Sequence, residues 1–231
     1  MKPQLQRVGI SQSPVVIIDE FSGNAEDIAR IADSLAPFPA SAGTYYPGVR
    51  RMIGKADQQA YSYALSTCEK AAPFIGGAFE VQGFDLHEAS FSVVTTPPDQ
   101  LQAVQRAPHF DSPQQNLFAL LHYLRVPNGT GTAFYRHRST EIERITKENF
   151  NRFATIAGQE LAARSPDSGY ITGSDEFFEQ IGSVEAVPDR LIIYHGSLLH
   201  SGIIPKEMKL SADPREGRLT ANLFVIGSSA A

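Results

Sequence analysis

Near Phe79 the sequence changes period, and this change limits the fold more than any other feature. Phe79, Val81, Leu86, Ala89, Phe91 and Val93 alternate with polar residues, as half-buried strands require. Further runs of the same kind cover 107–112, 116–126 and 132–138. They are separated by Ser112-Pro113-Gln114-Gln115 and Pro127-Asn128-Gly129-Thr130-Gly131, both of which are turn chemistry. Apolar runs at 191–194, 198–200 and 219–226 follow, broken by Gly196, Gly202, Pro205 and Gly217. Parallel strands need long crossovers, so connections this short imply antiparallel pairing.

Helices are expected on either side of these strands. Val15-Val16-Ile17-Ile18 reads as a buried strand. After it Asn24 caps a helix with Glu26 and Asp27 in its first turn and Ile28, Ile31 and Leu35 on its apolar face, and Pro37 and Pro39 end it. Tyr45-Tyr46-Pro47-Gly48-Val49-Arg50 is turn-forming and aromatic, either a cleft wall or a packed loop. A second helix, about 57–70, carries Ala60, Tyr61, Ala64, Leu65 and Cys68 at helical spacing, which makes Cys68 a small buried hydrophobe. Thr146 caps an inserted helix over 147–164 with Phe150, Phe153, Ala154, Ala157 and Leu161 on one face, and a shorter helix is predicted after Ser174-Asp175.

The expected fold is mainly β with flanking helices around a double-stranded β-helix, or jelly roll. The 231 residues are read as a single domain: 1–78 buttress the core, and 79–226 form it with a helical insertion at about 141–189. Residues 100–108 and that insertion interrupt the strand pattern and are expected to shape a substrate mouth.

Twenty Lys and Arg against 25 Asp and Glu give a net charge of -5, the wrong sign for a surface that neutralises phosphates, so nucleic acid is not an expected partner. One cysteine excludes an internal disulfide and a Cys-rich zinc site. With no signal-like apolar run at the start and no stretch long enough to span a membrane, a cytoplasmic protein without a membrane partner is expected.

Within this frame, His109 and Asp111 lie two apart on an extended segment and so share a face. An imidazole and a carboxylate placed together supply two ligands of a 2-His-1-carboxylate triad, which leaves positions open on Fe(II) for a co-substrate and oxygen. His200, in a strand-turn-strand, is the best third ligand, and His195 competes with it. Alone, His200 reads more readily as a hydrogen-bonded core histidine, and Arg218 reverses that preference. Arg218 and Thr220 share a face of the apolar last strand. A guanidinium aimed into a barrel needs an anion, and the Thr220 hydroxyl can donate to the same group. Arg215 is the rival for that anion. His122, His137 and His87 read as solvent or core histidines.

These residues together resemble the Fe(II)- and 2-oxoglutarate-dependent oxygenases, especially the prolyl hydroxylase branch. His109-Phe110-Asp111 is similar to the family's His-x-Asp. Leu121-His122-Tyr123-Leu124, followed by Gly129-Thr130-Gly131-Thr132-Ala133-Phe134, resembles its Tyr-Leu and Gly-Gly-x-Thr-x-Phe segment. His200 matches the distal ligand, and Arg218 and Thr220 match the residues that hold the far carboxylate of 2-oxoglutarate. The agreement in order runs from about Val15 to Val225. Two departures stand out: the interrupted glycine pair, and a segment between His200 and Arg218 longer than usual.

The resemblance implies metal ligands His109, Asp111 and His200, co-substrate contacts at Tyr123, Arg218 and Thr220, and substrate contacts at Tyr135, Arg136 and Arg138. It implies hydroxylation of a C–H bond of a peptidyl residue or small molecule at a bound Fe(II), with 2-oxoglutarate and O2 consumed to give succinate and CO2. Asp111 argues against a halogenase, which frees that coordination position for chloride. Two other readings stay open: a non-catalytic jelly roll that binds a peptide or sugar, and a cupin-like metalloenzyme that would not need Arg218.

Overall fold

The computed structural model describes residues 3–40, 45–163 and 169–228. Ten strands and three helices follow in the order β1 (Pro3–Val8), β2 (Ser13–Ile18), α1 (Ala25–Ser34), β3 (Gly48–Met52), α2 (Gln58–Phe79), β4 (Gly83–Val94), β5 (Leu117–Arg125), β6 (Gly131–His137), α3 (Phe150–Ala163), β7 (Phe178–Glu185), β8 (Leu191–His195), β9 (His200–Ile203) and β10 (Leu219–Ser228). Pairing is antiparallel throughout. The larger sheet runs β1-β2-β8-β5-β10-β4-β3 and the smaller β7-β6-β9. This is the expected mainly β jelly roll with flanking helices.

Strand alternation divides the interior in two. Ala89, Phe91, Val93, Phe118, Leu120, Leu191, Ile193, Ala221, Leu223 and Val225 pack outward against Ile28, Ala29 and Ala32 of α1 and Ala60, Ala64, Ala71 and Ile75 of α2. The opposite parity, Val15, Ala119, Leu121, Tyr123, Ile192 and Tyr194, turns inward and meets Phe134 and Val184 of the smaller sheet. Because successive side chains point to opposite faces, each strand serves both layers. The inner layer is where the polar residues collect.

The Asn24 carboxamide accepts from the Asp27 backbone N–H, so the first helix begins as its cap dictates. Helix α2 runs on to Phe79, well past the expected end near Lys70, with Pro73 inside it. An interior proline costs about 3 kcal/mol. Beyond it Ile75 is fully buried and Phe74, Ala78 and Phe79 pack on the core, each large side chain returning about 1.5–3 kcal/mol when buried. Cys68 is buried as expected, and desolvation pushes its thiol up to about 11.

The insertion also departs from expectation. Helix α3 starts at Phe150, with Thr146 and Asn149 capping each other reciprocally; Arg164 lies outside the described residues. No helix follows Asp175. Its carboxylate accepts from the N–H groups of Phe177 and Phe178 and turns the chain into β7, because the hydrogen bonds that cap a helix also make an Asx turn. The 141–189 segment is therefore helix plus strand. Strands β1 and β3 were not foreseen. No helix is long and apolar enough to cross a membrane among the described residues.

A buried polar network pins α2 to the larger sheet. His122 is wholly buried, its Nε2 is 3.0 Å from Asp189 Oδ1, and its Nδ1 is 2.9 Å from the Tyr63 hydroxyl. A carboxylate only accepts, so Nε2 carries the proton and Nδ1 accepts from Tyr63. Asp189 also accepts from Ser22 N at 2.9 Å, Ser22 Oγ at 2.5 Å and Gly23 N at 2.8 Å. Burial alone would raise this carboxyl, but the hydrogen bonds from His122 and Ser22 outweigh it and hold Asp189 well below the carboxylate range. A depressed folded-state value stabilises the protein above the unfolded value, about 3.9, and the gain fades as pH falls through it. Asp189→Asn should therefore be less stable than wild type by about 1–3 kcal/mol at neutral pH. The gap should narrow below about pH 4. Denaturant unfolding across pH tests this, and a gap independent of pH would refute it.

Candidate metal centre

The segment 107–112 is not a regular strand, a correction to the expected element. Pro108 lacks an N–H, and only His109 forms a bridge, donating to the His200 carbonyl at 2.9 Å and accepting from the His200 N–H at 2.8 Å. His109 thus sits on the free side of β9, as a one-residue fourth strand of the smaller sheet. Two residues on, the Asp111 N–H donates to Gly196 O at 2.7 Å, tying it to the turn between β8 and β9.

This arrangement brings His109, Asp111 and His200 together, with one ligand atom from each inside a mutual distance of 4.8 Å. That is the span of one coordination sphere whose bonds are about 2.0–2.4 Å. The His109 and His200 ring centroids are 4.3 Å apart, and His200 Nε2 lies 3.7 Å from Asp111 Oδ2. His200 Nδ1 is 2.8 Å from the Leu198 carbonyl, which can only accept. Nδ1 therefore donates and Nε2 is the atom turned toward Asp111, the orientation a second-shell carbonyl gives to a metal-binding histidine. Burial, then His200 and Arg50, hold the His109 imidazole well below its usual range, so it is neutral. Burial raises the Asp111 carboxyl, offset in part by His200 and Arg50. Two imidazoles and a carboxylate, converging on one point, form a donor set that a divalent cation fits.

Gly196 permits this approach. A Cβ there would lie 2.4 Å from Leu117 Cδ2 and 3.4 Å from the Asp111 side chain. Relieving the Leu117 contact would shift the turn whose Gly196 carbonyl holds the Asp111 N–H, so Gly196→Ala should lower metal affinity about tenfold, the scale of second-shell losses. Competition against a chelator measures this, and unchanged affinity would show that the turn does not position Asp111.

Beside the triad a small cavity of about 100 Å³ is lined by Tyr46, Arg50, Thr132, Tyr194, Arg218, Thr220 and Asn222. Strand register sets its polar floor: Arg50 pairs with Ser92, Ser92 with Thr220 and Thr220 with Tyr123, one row across four strands. Arg218, one residue before β10, has the same parity and is 5% exposed. Its one hydrogen bond goes to Gly131 O at 3.3 Å, and its buried Nε has no partner. No carboxylate lies within ion-pair distance of it among the described residues. The Tyr123 hydroxyl meets Thr132 Oγ1 at 2.7 Å, and the Arg218 guanidinium sits 5.7 Å from the Tyr123 ring centroid.

The rivals fall elsewhere. His195 is on the outer face against Phe79 and Phe118, with Nδ1 3.1 Å from Gln115 O; burial and Arg144 push its imidazole down to about 4. Arg215 is 66% exposed and paired with Asp213 at 2.8 Å. The three residues expected to touch substrate lie away from the cavity. Tyr135 is fully buried in the cluster between the smaller sheet and α3, Arg136 pairs with Glu179 across the β6–β7 ladder, and Arg138 donates to the Asp175 carbonyl. Tyr135 and Arg136 lie in strand β6, and parity turns Tyr135 outward. Sequence reasoning singled out neither Asn222 nor Tyr194 for the cavity, although Asn222 has the same parity as Thr220.

The metal cluster also opens onto a cleft of about 870 Å³ lined by Arg50, His87, Glu88, Ala107, Phe110, Phe150, Phe153, Ala157, Phe178 and Phe224, among others. Residues from both 100–108 and the insertion form its walls. Helix α3 is held there by buried His137, whose Nε2 is 2.5 Å from Glu160 Oε2 and whose Nδ1 is 2.8 Å from Thr140 Oγ1.

A family model described as a family of unknown function (DUF6445) matches residues 1–225. No curated protein matches the chain. Solved structures do. The epimerase SnoN in complex with Fe3+, α-ketoglutarate and nogalamycin RO is 13% identical, with a TM-score of 0.56 over 94% of this chain and 80% of that one. HygX from Streptomyces hygroscopicus with nickel and 2-oxoglutarate bound is 13% identical, with a TM-score of 0.55 over 94% and 84%. The viral collagen prolyl hydroxylase vCPH from Paramecium Bursaria Chlorella virus-1, as a 2OG complex, is 10% identical, with a TM-score of 0.50 over 93% and 96%. At these identities the likeness is one of fold.

Proposed function

Because the chain belongs to DUF6445, a family of unknown function, over nearly its whole length, we propose its reaction from its own residues: an Fe(II)- and 2-oxoglutarate-dependent dioxygenase that hydroxylates a C–H bond of a small molecule or peptidyl residue. The observation that carries this reading is Arg218. Burying a guanidinium without a counter-charge is costly, and here its Nε has no partner among the described residues. It lines the same small cavity as His109, Asp111 and His200. A dicarboxylate whose near end binds the metal and whose far end reaches Arg218 would fill that cavity. A metalloenzyme without such a co-substrate would have no use for the charge.

His109, Asp111 and His200 would hold the iron, which when bound supplies the oxygen chemistry. Arg218 would take the distal carboxylate through its planar fork, with the Thr220 hydroxyl donating beside it. Tyr123 would support that end, its hydroxyl held by Thr132 and its ring under the guanidinium. Leu198 O keeps His200 in the ligating tautomer, and Tyr194, 4.8 Å from the His200 ring, closes the cavity wall against water. The wide cleft is the route by which substrate reaches the metal. That three solved structures of this fold are complexes with 2-oxoglutarate or α-ketoglutarate supports the reading.

Anaerobic titration with Fe(II) and then 2-oxoglutarate should develop a visible metal-to-ligand charge-transfer band. Succinate should form when oxygen is admitted. Metal binding with no response to 2-oxoglutarate would favour a cupin-like enzyme, and no metal binding would favour a non-catalytic jelly roll.

A further inference from the structure

Arg50 lies outside the expected ligand set, yet it borders both the metal cavity and the wide cleft. It is the one cationic side chain lining the wide cleft among the described residues. Its guanidinium is set in place from two sides: Nε donates to Ser92 Oγ at 3.2 Å, and the group lies 4.8 Å from the centroid of the Tyr46 ring. Both terminal nitrogens have no acceptor, and no carboxylate is within ion-pair distance, among the described residues. Strand parity explains its aim. Val49 packs on the outer core, so Arg50 must turn inward, on the same row as Ser92 and Thr220.

We propose that Arg50 anchors the substrate, which is a monocarboxylate with an apolar body: the acid binds the two free guanidinium nitrogens, and the remainder lies against Phe110, Phe150 and Phe153. This rests on the oxygenase reading above. A planar fork with two outward N–H edges matches a carboxylate in bidentate geometry, and Tyr46 and Ser92 already restrict the side-chain freedom that binding would otherwise have to remove. Arg218 accounts for the co-substrate's far end, so the acid at Arg50 belongs to a second molecule. Phe110 meets Phe150 and Phe153 edge to face at 6.1 and 6.2 Å, an apolar wall continuous with the metal site. Glu88, on the strand paired with β3 and on the same face as Ser92, also lines the cleft and would repel a second anionic group. An uncharged residue inside a peptide chain offers Arg50 nothing, which narrows the substrate to a small acid or a chain's C-terminal residue.

The test uses 4-phenylbutyrate and its uncharged amide, titrated calorimetrically into protein loaded with nickel and 2-oxoglutarate and, separately, into metal-free protein. Wild type should bind the acid at least tenfold more tightly than the amide. Arg50→Gln should reduce that ratio to about one, a larger fold-change than it makes in 2-oxoglutarate affinity, and Arg50→Lys should retain part of it, since an ammonium keeps the charge without the fork. Thermal unfolding of both variants checks that the β3 edge is intact. An acid-to-amide ratio equal in wild type and Arg50→Gln, or no binding of either probe, overturns the proposal, as does a loss of 2-oxoglutarate affinity at Arg50→Gln as large as the loss of the acid's. Failure of wild type to bind nickel or 2-oxoglutarate would instead refute the oxygenase reading, and the metal-free titration would still report on Arg50.

Discussion

Arg218→Ala should lose about 2–5 kcal/mol of 2-oxoglutarate affinity, the scale for removing one partner of a buried charge pair. Metal affinity should change far less, because Arg218 contacts none of the three ligand residues. Arg215→Ala is the control. Its side chain is 66% exposed and its partner is a surface acid, a kind of pair worth about 0–1 kcal/mol. Arg218→Lys should recover only part of the loss, since a point charge cannot reproduce two parallel N–H···O bonds. The metal-free, ligand-free proteins should rank differently. Removing a guanidinium whose Nε is orphaned relieves a desolvation cost, so Arg218→Ala should unfold no more easily than wild type. Dissociation constants measured with nickel present, beside unfolding curves without it, separate the two effects. Equal losses at both arginines would move the clamp to the 203–217 excursion.

What could be read in the sequence follows from which signals are local. Alternation and turn residues marked strands β4, β5, β6, β8, β9 and β10 in order, because both act within a few residues. The helix caps at Asn24 and Thr146 were local for the same reason. Tertiary packing was not local. Proline should stop α2 near Lys70, and only the buried face beyond Pro73 shows why it continues. Asp175 offers the same hydrogen bonds to a helix and to a turn, and the strand after it wins because β6 is there to pair with it. At the site, the spacing of His109 and Asp111 was legible, but His195 and His200 could not be separated by composition. Their parity in the hairpin decides: His195 points outward with Leu191 and Ile193, while His200 faces the bridge to His109. Arg50 was hidden because Pro47-Gly48 reads as a turn, and nothing nearby in sequence says that Ser92 will lie beside it.

Asp111→Ala and His200→Ala should each abolish tight metal binding while leaving the fold intact. His195→Ala should do the reverse. The difference follows from what each side chain contributes without metal. The Asp111 carboxylate is 17% exposed and receives no hydrogen bond among the described residues, so in the metal-free protein His200 and Arg50 only partly offset its desolvation. Removing it should leave the metal-free unfolding midpoint unchanged or slightly higher. In wild type, metal at 100 times its dissociation constant adds about 2.7 kcal/mol to stability, and this increment should vanish in both ligand variants. His195 instead packs its ring 5.0 Å from Phe79 and 5.1 Å from Phe118, on the face that carries α2. Truncating it opens space in that aromatic cluster and should lower stability by about 1–3 kcal/mol with metal affinity unchanged. Unfolding curves of the three variants, each with and without nickel, give both quantities. A metal increment surviving in His200→Ala but lost in His195→Ala would reverse the assignment of the third ligand.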